Sequence, residues 1–293
     1  MSVEERLISV YLLVCSKFPF LAHTVERMSR TKPPECTDEE VLTIYLFGIL
    51  QRHFTSKDIH KYAKEHWLPW FPALPNYEAF NHPLLRLAPA FDALSELLAP
   101  MLPRQAIFSH VVLIDSMPIV LARAGRADTA KVAREIADKG YCATKKLYYH
   151  GVKLHAMLNK GHQCLPRLTA CELSKASEHD VHSLRRQIDM LHQCDIYGDR
   201  AYFYHQTEDI CQEQENVVWA VKPRTRGQKA LPTDEVLRNT SISRMRQPIE
   251  SWFNWLQEKT HMEQASKVRS TKGLIVHTLG RLSAAVIALI FNF

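Results

Sequence analysis

The spacing of apolar residues predicts that the first third of the chain is helical. Thr37, with Glu40 three residues later, has the form of a capping box at the start of an amphipathic segment. After a short break, Ser56 can cap a second helix, and beyond a proline-rich stretch a further helical pattern covers residues 77–98. We therefore expect residues 1–103 to form an all-helical N-terminal domain.

The two predicted helices that begin near Thr37 and Ser56 have two interpretations. Joined by a tight turn, they are compatible with a helix-turn-helix that docks in a DNA groove. A plain helical bundle is equally compatible, because neither helix is rich in the Arg, Asn or Gln side chains that contact base edges.

After residue 103 the pattern changes to alternating strands and helices. Residues 110–121 are β-rich and broken by Asp115, and residues 150–158 and 164–171 alternate apolar and polar positions, which predicts a three-stranded antiparallel meander. The other predicted elements are a short helix near 129–139, a helix over 178–192, a strand over 195–198, a helix over 202–212, a strand over 217–221 and a helix from Pro248. This order predicts a mixed five-stranded α/β sheet covered by helices, as in the ribonuclease H-like fold.

Length and composition agree with a globular protein of one large and one smaller domain. The 293 residues are 46% hydrophobic and 23% charged, which is ordinary for a folded chain. The net charge of +6 suits a polyanionic partner, although many proteins that never bind DNA share it. Much of the excess lies in residues 222–246, which carry seven basic and two acidic residues. This segment is either a solvated loop or a loop that contacts phosphates.

The cysteines and the apolar segments indicate in which cellular compartment the protein is expected. The seven cysteines contain no C-x-x-C pair, which argues against a disulfide framework and fits a reducing cytoplasm. The N-terminus carries acidic residues before its apolar stretch and makes a poor signal peptide. The last apolar run, residues 282–293, is too short to cross a bilayer. We expect a cytoplasmic protein without a membrane partner.

Three acidic residues are candidates for the chemistry, and each has a structural alternative. Asp115 interrupts an apolar strand, where a carboxylate is costly unless it is paired or bound to metal, but it could also end the strand and cap a turn. Asp199 follows a short strand and precedes a helix, where an N-cap is common. Glu250, after Pro248, could simply favour the dipole of a helix that begins there.

Together the three carboxylates indicate more than each does alone. In the predicted sheet the first strand is central, the strand that ends at Asp199 lies beside it, and the helix with Glu250 packs on the same face. Oxygen ligands of this kind suit Mg²⁺ or Mn²⁺, and two such ions about 4 Å apart serve phosphoryl transfer. The sequence therefore predicts Asp115, Asp199 and Glu250 as catalytic residues and ligands of two divalent ions.

Three segments, VVLIDSMPI, YGDRAY and RMRQPIESWFNWL, resemble the bacterial insertion-sequence transposases of the DDE type. The resemblance covers roughly residues 105–293 and implies a ribonuclease H-like catalytic domain over 104–293 after a helical DNA-binding region. It implies that Arg246 is the basic residue one turn before the glutamate. Two positions depart from the family pattern: Ser243 replaces a tyrosine, and Gln257 replaces a basic residue.

The resemblance also implies the partners. We expect the protein to bind the terminal inverted repeats of its own element and target DNA, as a homodimer in the DNA complex that is associated with the bacterial nucleoid. The predicted DNA-binding residues are Lys145, Lys146, Lys153, Arg200, Arg224, Arg226, Arg246 and Lys259. A nuclease of the same fold without strand transfer, and a non-catalytic helix-turn-helix DNA-binding protein, remain the alternatives.

Overall fold

The computed structural model describes residues 2–25, 34–102, 107–203, 215–225 and 227–293. Contacts divide the chain into two units, one made of Met1–Pro103 with Leu256–Phe293 and the other of Arg104–Trp255. We call them the helical unit and the sheet unit.

The helical unit contains elements from both ends of the chain. Its helices are Val3–Leu21, Asp38–Leu50, Ser56–His66, Tyr77–Arg86, Ala88–Leu98, Thr271–Ile275 and Arg281–Phe291, the last two joined by the π-helix Val276–Gly280. The sequence predicts residues 256–293 as part of the catalytic domain, but they pack with the N-terminal helices. The Tyr45 hydroxyl donates to the Val276 carbonyl (3.1 Å), and the buried Arg281 guanidinium donates to the Phe54 carbonyl. The apolar C-terminal segment is therefore buried against residues more than two hundred positions away.

The predicted helix starts are mostly close to the observed ones. The capping box is confirmed, since the Glu40 N–H donates to Thr37 Oγ1 (3.2 Å) and the Thr37 N–H donates to Glu40 Oε2 (2.8 Å). The next helix is capped by Thr55 and not by Ser56. The predicted helix over 77–98 is two helices, because Pro89 lacks an N–H and starts a new helix more easily than it continues one.

Two helical stretches, Val3–Thr24 and Thr271–Phe291, are long and apolar enough to cross a membrane by length and composition. The prediction that the last apolar run is too short treated residues 282–293 alone, whereas the helical stretch begins eleven residues earlier. Most of this second stretch is buried inside the helical unit, which is the usual environment of a core helix in a soluble protein.

In the described part of the sheet unit, six strands form one mixed sheet. They are β1 (Ile107–Arg123), β2 (Asp138–Cys142), β3 (Leu147–Gly161), β4 (Arg167–Lys175), β5 (Asp195–Gly198) and β6 (Val217–Ala220). The order is β2-β3-β1-β5-β6, and β4 pairs with the later part of β3. β1 is antiparallel to β3 and parallel to β5, and β6 is parallel to β5. This mixed α/β sheet is consistent with the ribonuclease H-like fold, as predicted, but it has six strands where the sequence predicts five, because β2 pairs with β3.

Two strand predictions are wrong in detail. β1 runs unbroken through Asp115 to Arg123, so that residue does not end the strand. The predicted short helix near 129–139 is replaced by a shorter one, Gly125–Thr129, followed by β2. β2 forms because residues 138–142 pair with the first part of β3. Gly140 lets β2 approach the turn that follows β4, since a Cβ at residue 140 would lie 2.2 Å from the Ala176 carbonyl oxygen.

The helices of the sheet unit differ from prediction mainly at their starts. Asp180–Gln187 occupies the middle of the predicted 178–192 helix, and most of the predicted 202–212 helix lies outside the described residues. The helix that carries Glu250 extends from Thr233 to Thr260, so the prediction that it begins at Pro248 is wrong. Its buried side includes Ile242 and, seven residues later, Ile249, so the apolar stripe begins before the proline.

Candidate active site

Asp115, inside β1, and Asp199, directly after the end of β5, lie next to each other on two adjacent parallel strands. The β1–β5 register pairs Val111 with Asp195 and Leu113 with Tyr197, so each aspartate comes two residues after a paired position. Residues two apart on a strand point to the same face. The sheet register thus places both carboxylates side by side, as the sequence predicts.

A tight turn holds Asp199 in place. Its Oδ1 accepts the Ala201 N–H (2.8 Å), so the residue caps the short 3-10 turn Arg200–Tyr202. The buried Tyr202 ring packs on Gly198, where a Cβ would lie 2.7 Å from the ring. These contacts give the residues of the YGDRAY segment distinct structural roles that the sequence analysis did not assign. The capping interpretation of Asp199 is therefore correct, and it leaves Oδ2 outside that hydrogen bond.

Arg246 connects the first and third predicted carboxylates. Its guanidinium lies 3.3 Å from Asp115 Oδ2 and 2.9 Å from Glu250 Oε1. The Arg246 and Asp115 side chains are 14% and 18% exposed, whereas Glu250 is 59% exposed. Glu250 is therefore held at the site from the solvent side, in the middle of a long helix and not in its first turn. The helix-dipole interpretation of Glu250 is wrong for that reason.

The surroundings of Asp115 shift the pKa of its carboxyl group upward. Burial raises its pKa to about 7, the Arg246 guanidinium opposes this shift, and the negative charges of Asp199 and Asp180 add to it. The Ser116 N–H, which donates to Asp115 Oδ1 (2.8 Å), also favours the ionised form. The surroundings thus disfavour the charge of Asp115 unless a positive charge is close to it. Perturbed groups of this kind cluster at functional sites.

A fourth carboxyl that the sequence analysis missed contacts the same residues. Asp180 begins the helix after β4, accepts a hydrogen bond from the Ser116 hydroxyl (3.1 Å) and forms an ion pair with Lys153 Nζ (2.7 Å). Lys153 also donates to the Glu178 carbonyl (2.7 Å). Lys153 is predicted to contact DNA, but in this structure its side chain forms a largely buried ion pair with Asp180. The local signal at Asp180 is an acidic residue in a first helical turn, which the helix dipole alone explains.

Asp115, Asp180 and Asp199 line a cavity of about 530 Å³ in the sheet unit, whereas Arg246 and Glu250 are not among the residues that line it. Residues at the end of β2 and in the turn between β2 and β3 also line it. Lys153 and Arg200 also line it, and Arg200 is exposed. The cavity is therefore a mixed-charge cleft within the usual size range of ligand-binding pockets.

The carboxylates at the site are the type of ligand that a divalent cation uses, but they are not arranged around an ion in this structure. Among the described residues, no group of three or more His, Cys, Asp or Glu side chains is arranged to hold an ion. The Arg246 guanidinium instead bridges Asp115 and Glu250, so a positive charge already neutralises two of the three predicted ligands. Carboxylate oxygens are the donors that Mg²⁺ and Mn²⁺ prefer, and Asp199 lies next to Asp115. A cation here would take over the charge compensation that Arg246 provides.

The other predicted DNA-binding residues are distributed over both units. Lys145 and Lys146 are exposed in the turn between β2 and β3, and Arg224 is exposed in the segment after β6. Arg226 lies outside the described residues. Lys259 belongs to the helical unit, where it is half-buried.

Carboxylates that lie side by side on adjacent parallel strands are oxygen donors of the kind that divalent metal ions use. A family model described as the transposase DDE domain matches residues 107–287, more than half of the chain. The chain therefore belongs to the transposase DDE domain family. No curated protein and no solved structure matches it significantly. Membership implies, in general terms, a metal-dependent enzyme that cleaves DNA.

Proposed function

We propose that this transposase cuts DNA at the terminal inverted repeats of its own element and joins the freed 3′ ends to target DNA. Asp115, Asp199 and Glu250 are the proposed catalytic residues and the ligands of two Mg²⁺ or Mn²⁺ ions. The observation that carries the proposal is the Arg246 bridge between Asp115 and Glu250, beside Asp199 at the end of the neighbouring strand. Bound ions would activate the attacking water or 3′-hydroxyl and stabilise the leaving oxygen.

The chain's own residues orient the reacting groups. The Ser116 N–H fixes one Asp115 oxygen, and the turn after Asp199 fixes one oxygen of that carboxylate. Arg246 is the side chain that becomes available to a DNA phosphate when its carboxylate partners engage another cation, and a guanidinium binds phosphate oxygens with two parallel hydrogen bonds. Arg200, exposed at the cavity, is a second phosphate contact in this proposal.

The helical unit supplies the proposed recognition of the repeats. The helix Asp38–Leu50 is buried along most of its length, whereas Ser56–His66 buries Ile59 and Ala63 and exposes its lysines. This arrangement supports a helix-turn-helix in which the second helix faces DNA. A homodimer in the DNA complex, without a membrane partner and in the cytoplasm, completes the proposal.

The test uses the purified full-length protein and labelled duplexes that carry the DNA flanking its coding sequence. With Mg²⁺ or Mn²⁺ and a supercoiled plasmid as target, we expect cut ends and then labelled plasmid that has acquired them. Cut ends without joined products would favour a nuclease of the same fold. Binding without metal-dependent cutting would favour a non-catalytic DNA-binding protein.

The basic segment after β6 gives a prediction about DNA affinity. Replacing Arg224 and Arg226 with alanine should weaken binding to all DNA sequences alike and flatten the salt dependence by about 0.9 in log–log slope per lost phosphate contact. Fluorescence polarisation at several salt concentrations measures both effects. The exposed Arg126 provides the matched Arg→Ala control. An unchanged slope in the double variant would mean that this segment is only solvated.

A further inference from the structure

The hairpin β2–β3 presents two exposed tyrosines next to the catalytic cavity. Tyr141 and Tyr148 are register partners on the two strands, with ring centroids 4.7 Å apart. Their exposed fractions are 49% and 56%, and no other tyrosine in the described part of the chain is as exposed. Tyr141 lines the cavity that also contains Asp115 and Asp199. Two aromatic rings that stay about half exposed beside the cavity offer apolar surface to a partner.

The charge around the tyrosines fits a nucleic acid strand. The hairpin carries Lys139, Lys145 and Lys146, of which Lys139 also pairs with Asp128 (2.5 Å). The one acidic residue of β2, Asp138, accepts a hydrogen bond from the Ser177 N–H (2.9 Å). Lys139 Nζ lies 4.9 Å from the centre of the Tyr148 ring. Aromatic faces flanked by cations are the combination that binds unpaired nucleotides, since bases stack on the rings while lysines attract phosphates.

The base of the hairpin is packed tightly, which holds the backbone that carries the two rings. Tyr149, adjacent to the exposed Tyr148 but on the opposite side of the strand, is buried with Val120 and Ala176. The close approach at Gly140 fixes β2 against the turn after β4. A preorganised platform loses little conformational entropy when it binds.

We propose that Tyr141 and Tyr148 form a stacking platform for an unpaired nucleobase of the DNA strand that enters the catalytic cavity. The proposal rests on the proposed function for its substrate, and it adds a binding site for a base close to the phosphodiester that is cut. The cavity receives the sugar-phosphate backbone beside the carboxylates, while the base leaves the duplex stack and rests on the tyrosines. Extrusion of a base next to a reacting phosphate requires such a partner to replace the lost stacking.

Binding without metal tests the platform separately from catalysis. In EDTA, the full-length protein is titrated with a fluorescent oligothymidylate and with a duplex of the same length. We expect Tyr141→Ala and Tyr148→Ala each to weaken binding of the single strand by about tenfold while duplex affinity changes little. Tyr141→Phe and Tyr148→Phe keep the ring and should bind as the wild type does. Phe108→Ala, an exposed aromatic of the same sheet outside the cavity lining, is the matched control.

The outcomes separate this proposal from the proposed function. Unchanged single-strand binding in the alanine variants, an equal loss for single strand and duplex, or phenylalanine variants as weak as the alanine ones would each overturn the stacking platform. Both tyrosines are exposed, and the thermal midpoint of each variant verifies that it is folded. If the wild-type protein fails to cut DNA but the alanine variants lose single-strand binding, the platform stands and the proposed catalysis does not.

Discussion

Replacing Asp115 with asparagine is expected to reduce metal-dependent DNA cleavage by on the order of a thousandfold or more. Asparagine keeps the size of the side chain but removes the charge that a divalent ion requires. Folding should survive, because burial already disfavours the charged form of Asp115 and raises its pKa to about 7, and because Arg246 keeps Glu250 as a second partner. DNA binding without metal should survive or tighten slightly, since one negative charge near the phosphates is lost.

A purely structural role for Asp115 predicts the opposite pattern. Asp115 forms a largely buried ion pair with Arg246, and removal of one partner from a buried pair costs about 3–5 kcal/mol of stability. In that case the Asp115→Asn protein would lose stability, while the folded fraction would retain its cleavage activity. The thermal midpoint, metal-free DNA binding and Mg²⁺-dependent cleavage, measured on one preparation, distinguish the two roles.

The exposed Asp92 of the helical unit supplies the matched Asp→Asn control, which should leave all three measurements unchanged. Strong residual cleavage by a well-folded Asp115→Asn protein would remove Asp115 from the proposed metal site. Asp180→Asn is an informative comparison, because Asp180 lines the same cavity but is paired with Lys153. A smaller loss in this variant would indicate that Asp180 positions Ser116 and Asp115 without binding the ions.

The strands that carry the first two aspartates could be predicted because their signals are local. The run before Asp115 is apolar on both faces, as expected for a central strand, and β5 was predicted with its observed bounds, Asp195–Gly198. Once β1 and β5 are neighbours and parallel, their register brings Asp115 and Asp199 together. The sequence pattern therefore contains enough information for this part of the site.

The contacts of Asp180 and the course of the C-terminal helices depend on distant partners. Asp180 and Lys153 are 27 positions apart and meet only because β4 returns along β3 before the helix begins. Residues 256–293 carry no local mark of the unit with which they pack, since their partners lie in the first hundred residues. The observed start of the Glu250 helix differs from the predicted one for another reason. Pro248 is favoured in a first helical turn, but the helix already begins at Thr233 and buries Ile242 before the proline.

Arg246→Gln is expected to separate metal binding from cleavage. In the structure the Arg246 guanidinium holds the Asp115 and Glu250 oxygens that a divalent ion needs, so its removal should leave Mn²⁺ affinity unchanged or increased. In the reaction the same guanidinium is the proposed partner of a DNA phosphate, and loss of one such donor reduces the rate by about a hundredfold. Arg246→Lys keeps the charge but not the planar pair of donors, so its cleavage rate should lie between those of the wild type and Arg246→Gln.

The experiment combines calorimetric titration with Mn²⁺ and single-turnover cleavage of the element ends at saturating metal. Arg244 is exposed on the same helix and gives a matched Arg→Gln control, which we expect to have little effect on either measurement. A lower Mn²⁺ affinity in Arg246→Gln, with normal cleavage once metal is saturating, would show that the bridge only orients the carboxylates. We expect the opposite pattern. The guanidinium neutralises carboxylates in the free protein and phosphate in the complex, so its loss should slow cleavage without weakening the binding of metal.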